Sequence, residues 1–298
     1  MSDKYLAIDI GGTNLKYGLL DRSGQLLEHD KEATPSSNLD DFWQAVRAII
    51  AKYQGQIRGV AFAAPGKIDL KTCTVHFGGA LPFLDGLNVA SRVHEDFPDL
   101  AVAIENDGKA AALAEYWMGN LAGKKNCAAL ILGTGVGGGI ILNGQLLHGT
   151  HFQAGELSFM LAARDQPTMN GAVCSAVGMI RQVNEACGAE DLTDGLSAFA
   201  KINAGDAQAT EIFDRYCSDL AKMVLNIQSV VDLSDYVFGG GISAQPALLP
   251  GIQRQYDQLV KSSPVIEKTL TKPRFALAKF GNDANLYGAV YNLLLATR

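Results

Sequence analysis

The chain has 298 residues, 48% of them hydrophobic and 19% charged, with a formal charge of −6. That balance fits one large or two modest globular domains and excludes a disordered or fibrous chain. Charges are scattered without a Lys/Arg run, so duplex nucleic acid is not an expected partner, and no apolar run reaches the roughly 20 residues that span a bilayer. Met1-Ser2-Asp3-Lys4 leads directly into an apolar stretch with no leader pattern, so the expected location is cytoplasmic and no membrane partner is expected.

In chain order, Tyr5 to Ile10 reads as an apolar strand, Gly11-Gly12-Thr13 as a turn, Asn14 to Leu20 as a second strand and Gln25 to His29 as a third. Trp43, Val46, Ile49, Ile50 and Tyr53 recur at helical spacing within 38–53, where Asn38 can cap. Ile57 to Ala64 reads as a buried strand ending at Pro65-Gly66, and Leu87 to Phe97 as a short helix. Ala101 to Ile104 is a strand ended by Glu105-Asn106-Asp107-Gly108, and Lys109 to Met118 is an Ala-rich helix. Then strand, Gly/Thr turn and strand recur: Ala128 to Leu132, Gly133-Thr134-Gly135, Gly138 to Leu142, followed by the hairpin signal Asn143-Gly144. This weak internal duplication suggests two similar domains. A long helix follows from Thr210 to Val231, then a strand Tyr236 to Phe238, Gly239-Gly240-Gly241, a helix from Pro246, a strand Arg274 to Phe280 and a last helix Ala284 to Ala296. Strands alternating with helices give an α/β class. The expected division is a smaller domain over 1–117, joined by the terminal helix 284–298, and a larger one over 118–283.

Three Gly-rich turns each follow an apolar strand. At Asp9-Ile10-Gly11-Gly12-Thr13 two glycines allow a sharp turn whose N–H groups can face phosphate oxygens; Thr13 adds a hydroxyl, and Asp9 can hold a hydrated Mg²⁺. Gly133-Thr134-Gly135-Val136-Gly137-Gly138-Gly139 is neither a Walker loop nor a dinucleotide fingerprint, because no Gly-Lys-Ser/Thr follows and its sequel is a strand. Three consecutive glycines in a strand pattern suggest a bulge or a close backbone approach. At Gly239-Gly240-Gly241 a strand runs into a helix, allowing close approach of a flat ring or ribose. Asp107, at a strand's C-terminal end, suits a base that accepts a hydroxyl proton in phosphoryl transfer; helix capping by Asn106 or Asp107 is the plainer reading. Cys73, Cys127, Cys174, Cys187 and Cys217 lack two-residue spacing and read as free thiols.

The ordered set Asp-x-Gly-Gly-Thr, Pro-Gly, Glu-Asn-Asp, Gly-Thr-Gly-x-Gly-Gly-Gly, Ala-Gly-Glu and Gly-Gly-Gly-x-Ser resembles the ROK family of repressors and sugar kinases over nearly the whole chain. The resemblance implies an actin-like ATPase (ribonuclease H-like) fold of two domains, with ATP and sugar in the cleft between them, and a homodimer. It assigns Asp9, Gly11, Gly12 and Thr13 to a first phosphate site, Thr134 and Gly135 to a second, Gly240 and Gly241 to the adenosine, and Asn106 and Asp107 to the sugar, with Asp107 as base. Gly79, within Gly78-Gly79-Ala80, either supplies backbone donors to the sugar or sits in a plain loop.

One departure is informative. Ala154-Gly155-Glu156-Leu157-Ser158-Phe159 carries Ser158 and Phe159 where most family members have Gly-His, and the family's cysteine cluster is reduced to Cys174. The structural zinc is therefore expected to be absent, with His148 and His151 as ordinary polar residues and Glu156 retained for sugar hydroxyls. In this the chain is similar to the β-glucoside kinase branch. Phe159 then either stacks on a second sugar ring or fills the volume zinc vacates. The expectation is an ATP- and Mg²⁺-dependent kinase for a sugar hydroxyl, the 6-hydroxyl of a β-glucoside such as cellobiose. Glucokinase and N-acetylhexosamine kinase are the alternatives within the class, and a non-catalytic sugar sensor outside it. Only eight residues precede Asp9, so a repressor's helix-turn-helix is not expected.

Overall fold

The computed structural model describes residues 3–162 and 165–297, which form two compact units. One comprises residues up to Ala122, Leu146–Ala154 and the segment from Asn282; the other comprises Gly123–Gln145 and Gly155–Gly281.

The first unit runs β1 (Lys4–Ile10), β2 (Asn14–Asp21), β3 (Leu26–Ala33), α1 (Leu39–Lys52), β4 (Gly59–Ala64), β5 (Lys67–Asp69), β6 (Thr74–His76), α2 (Val89–His94), β7 (Ala101–Asn106) and α3 (Asp107–Met118). Its sheet has the order β3-β2-β1-β4-β7, with antiparallel pairs at β1/β2 and β2/β3 and parallel pairs at β1/β4 and β4/β7. Because side chains alternate along a strand, β1 serves both faces. Leu6, Ile8 and Ile10 pack with Phe42, Trp43, Val46, Ile49 and Ile50 of α1. Tyr5 and Ala7 point the other way, to a core of small residues that includes Ala61, Ala63, Ala103 and Ala110. Asn38 caps α1 as expected, accepting the Asp41 N–H at 2.9 Å.

The second unit opens with β8 (Cys127–Leu132), β9 (Val136–Leu142) and β10 (Gln145–Leu146), then α4 (Asn170–Val173), α5 (Ala176–Ala186), α6 (Gly195–Asn203) and α7 (Ala207–Val231). It continues with β11 (Asp235–Gly239), α8 (Leu248–Lys261), α9 (Pro264–Thr269) and β12 (Arg274–Leu277). Its sheet order, β10-β9-β8-β11-β12, repeats the first, with β8/β9 antiparallel and β8/β11 and β11/β12 parallel. The expected duplication is thus a repeat of sheet topology. Of the two readings of Gly137–Gly139, the bulge is not found: all three pair in regular register with Ile131, Leu130 and Ala129. A Cβ at Gly138 would run into the Ala129 carbonyl, so the glycine serves close strand approach.

The last helix, α10 (Ala284–Ala296), returns to the first unit, where Leu286, Ala289, Val290, Leu293 and Leu294 join the small-residue core. α5, α6, α9 and the β5/β6 hairpin were not expected. Buried apolar residues hold α5, α6 and the hairpin, whereas α9 buries none of its side chains. The five cysteines are free, three of them buried. Among the described residues no helix is long and apolar enough to cross a membrane.

Candidate active site

The turn between β1 and β2 is shaped by a residue that sequence reading missed. Thr34, buried just after β3, donates its hydroxyl to the Gly11 carbonyl at 2.6 Å and its N–H to the Thr13 carbonyl at 3.0 Å. Gly11 N–H closes the turn on the Asn14 carbonyl at 3.1 Å. With these carbonyls engaged on the protein side, Gly12 and Thr13 stand exposed at the tip, as an anion site requires. Ala80 packs over Gly12, where a Cβ would lie 3.0 Å from it, so the Phe77–Leu81 loop carrying Gly79 abuts this turn. Asp9, 6% exposed, accepts from Asn285 Nδ2 at 3.0 Å and lies 3.6 Å from Lys16 Nζ. Burial pushes its carboxyl above the ordinary range, and Asn285 and Lys16 counter only part of that. A buried carboxylate beside an exposed turn suits a cation held through water. Lys16 and Asn285 were also missed; Asn285 lies 276 residues from Asp9, beyond any local signal.

The corresponding turn of the second unit is braced differently. Gly133 N–H donates to the Gly135 carbonyl at 3.0 Å, and the Gly133 carbonyl accepts the Ala176 N–H at the start of α5 at 2.9 Å. Ser158 Oγ accepts the Val136 N–H at 2.9 Å and donates to the Val136 carbonyl at 3.1 Å. A Cβ on Gly135 would lie 2.9 Å from that hydroxyl. Ser158, noticed in sequence only as a replacement, therefore holds the Thr134–Gly135 turn. Thr134 is exposed at its tip. After β11, Gly240 has φ +93°, and a Cβ there would collide with the Leu132 carbonyl, so only glycine fits. Leu132, Gly133, Val177, Thr193, Gly241 and Ile242 are among the residues lining a pocket of about 510 Å³ in this unit, within the roughly 300–1,000 Å³ of small-molecule sites. It gathers the second and third glycine turns at one place.

The β7–α3 junction holds the candidate base. Asn106 Oδ1 accepts the Lys109 N–H at 3.1 Å, capping α3, and its Nδ2 donates to the Gly66 carbonyl at 3.0 Å. The capping reading is therefore true of Asn106 and compatible with a second role. Asp107 is half-buried as the first residue of α3, with Oδ1 accepting its neighbour Gly108 N–H at 2.7 Å. A negative charge there is favoured by the helix N-terminus. His148, read from sequence as an ordinary polar residue, has a specific partner. From its loop its Nε2 lies 2.8 Å from Oε2 of the fully buried Glu105. Glu156 is half-buried before the 3-10 turn Leu157–Phe159, and Phe159 is 66% exposed. It fills no void.

A model of the ROK family matches residues 5–296. The chain belongs to the ROK family. A β-glucoside kinase of Listeria monocytogenes is 30% identical over 299 residues, covering 98% of this chain and 97% of the relative. An N-acetylmannosamine kinase of Yersinia pestis is 32% identical over 279 residues, covering 84% and 91%. The solved structure of a ROK family protein from Streptococcus pneumoniae, in complex with sucrose, aligns with a TM-score of 0.88 at 29% identity and covers 99% of each chain.

The fold is accordingly the actin-like ATPase fold, and the two similar sheets of this ROK chain are its duplicated core. The motifs fall into two groups. Asp9, Gly11, Gly12, Thr13, Gly79, Asn106 and Asp107 lie in the first unit; Thr134, Gly135, Glu156, Phe159, Gly240 and Gly241 lie in the second. Among the described residues no group of three or more His, Cys, Asp or Glu side chains is gathered as a metal site.

Proposed function

We propose that the protein transfers the γ-phosphate of ATP to the 6-hydroxyl of a β-glucoside such as cellobiose. It is an ATP-dependent carbohydrate kinase, the class of its ROK relatives. The observation that carries the acceptor chemistry is a carboxylate at the head of α3, beside an amide already fixed by two hydrogen bonds. In the proposed reaction Asn106, Glu156 and the Gly79 backbone hold the sugar. The acceptor oxygen attacks the γ-phosphorus, its proton passes to the Asp107 carboxylate, and the bond from phosphorus to the bridging oxygen of ADP breaks. The Gly11–Thr13 and Thr134–Gly135 turns bind phosphate, and Gly240 and Gly241 border the adenosine, Gly241 from the wall of the 510 Å³ pocket. Asp9 is the carboxylate that would hold the water shell of Mg²⁺, which when bound neutralises charge on the phosphates.

The choice of a β-glucoside rests on Phe159, an aromatic 66% exposed beside Ser158 and one suited to stacking on a second ring. The sucrose found in the pneumococcal structure supports room for a disaccharide. Of the second reading, an N-acetylhexosamine or glucose kinase, the hexosamine alternative is supported by the Yersinia relative. A homodimer is proposed by family analogy. The test of the base is Asp107→Asn, which keeps size and hydrogen bonding. Loss of a general base costs about 10²–10⁴-fold in rate, so kcat should collapse with a smaller change in sugar affinity. Activity within about threefold of wild type would sink the base assignment, and ATP turnover that sugar does not raise would instead favour a non-catalytic sugar sensor.

A further inference from the structure

Glu105 directly precedes the candidate sugar-binding pair and is 1% exposed. A carboxyl so buried is tolerated only where its oxygens are hydrogen-bonded. Oε1 accepts the Asn106 backbone N–H at 2.8 Å. Oε2 lies 2.8 Å from His148 Nε2, which donates when the ring proton sits on that nitrogen. His148 comes from Leu146–Ala154, a segment remote in sequence but packed in the same unit. Its own carbonyl accepts the Ala154 N–H at 3.1 Å, so the imidazole stands at the foot of a closed loop. From Glu105 the order passes to Asn106, whose side chain is tied to Gly66 on one side and Lys109 on the other. Gly66 is itself wedged: with φ +93°, a Cβ there would collide with the Phe77 carbonyl.

We infer that His148 is a positioning residue for the sugar half of the site. It fixes Glu105, Glu105 fixes the Asn106 backbone, and together they set the Asn106 amide and the Asp107 carboxylate toward the incoming hydroxyl. His148 need not touch the substrate to do this. The inference rests on Asn106 and Asp107 acting as proposed above.

A displacement of about 1 Å at a reacting group can cost about 10²-fold. His148→Ala is therefore expected to lower kcat/KM for the sugar about 10- to 100-fold, through both kcat and sugar KM, with ATP KM within about twofold. His148→Gln can bring its amide nitrogen where Nε2 stands and should restore most of the loss. His148→Asn, whose shorter side chain matches Nδ1 instead, should not. This pair holds polarity nearly constant and decides the matter even if the alanine variant does not fold. Equal activities for the Gln and Asn variants, or a parallel rise in ATP KM, would overturn the positioning role. Asp107→Asn measured alongside separates the two ideas. If it stays active the base assignment fails, whereas if it is inactive and His148→Asn matches wild type, only the His148 inference fails.

Discussion

Burying Asp9 at the first turn disfavours its ionised form, and the Lys16 and Asn285 contacts only partly compensate. The sign of the consequence follows from linkage. A carboxyl whose folded pKa is raised costs no stability below its unfolded value and costs progressively more as pH rises through the folded value. Asp9→Asn removes that cost while keeping a partner for Asn285. It should leave stability unchanged at acid pH, raise the thermal midpoint of the ligand-free protein near pH 7, and depress turnover. A lower midpoint at pH 7 would show that the Lys16 pair outweighs burial. Phe77 offers a second test. It sits at φ +59° and is 76% exposed, so its left-handed backbone strain is not repaid by burial. A non-glycine residue in that region costs about 1–2 kcal/mol, and the extra freedom of glycine in the unfolded chain returns about 0.5–1 kcal/mol. Phe77→Gly should therefore raise stability by up to about 1.5 kcal/mol, read from the urea midpoint. Neither residue's state was legible in sequence: Asp9 stood out for its type, but its partners come from β2 and α10, and nothing local announces a left-handed Phe.

At the scale of elements, α10 against α3 is the informative contact. A Cβ at Gly288 would run into the Ala110 carbonyl, so the two backbones touch at this glycine. Gly288→Ala should gain about 1 kcal/mol of helix propensity, yet forcing a methyl into a packed core costs about 1–3 kcal/mol or more. The expected sign is net destabilisation, seen as a lower denaturant midpoint. A more stable variant would mean that the helices part easily. Strands and long helices were largely readable, because apolar runs and the period of Trp43, Val46, Ile49 and Ile50 state which face is buried. Their ends were less so. β7 continues through Glu105 and Asn106, where the sequence reading ended the strand at Ile104, because pairing with Ala63 and Ala64 carries the ladder onward. β12 stops at Leu277 rather than Phe280.

For the molecule as a whole, the prediction with most functional weight concerns the size of the acceptor. If Phe159 borders the open end of the sugar site, a second ring gains contacts that can orient the reacting hydroxyl. An aromatic contact adds about 0.5–1.5 kcal/mol beyond burial, about 2- to 12-fold in kcat/KM. Cellobiose or gentiobiose should exceed glucose in a coupled ADP assay, and Phe159→Ala should narrow the difference. Glucose outperforming both would support the glucokinase reading instead.

Sequence by itself determined the family, the α/β class and its duplication, and the glycine turns, because each depends on local chemistry: apolar runs, residues that permit sharp turns, and an ordered set of motifs. Tertiary structure alone decided what holds those turns and carboxylates in place. Thr34 on the first turn, Ser158 on the second, Asn285 on Asp9 and His148 on Glu105 are separated from their partners by 23, 22, 276 and 43 positions. Hydrogen bonds over such separations leave no periodic trace. They exist because buried polar groups must find partners wherever the fold brings them.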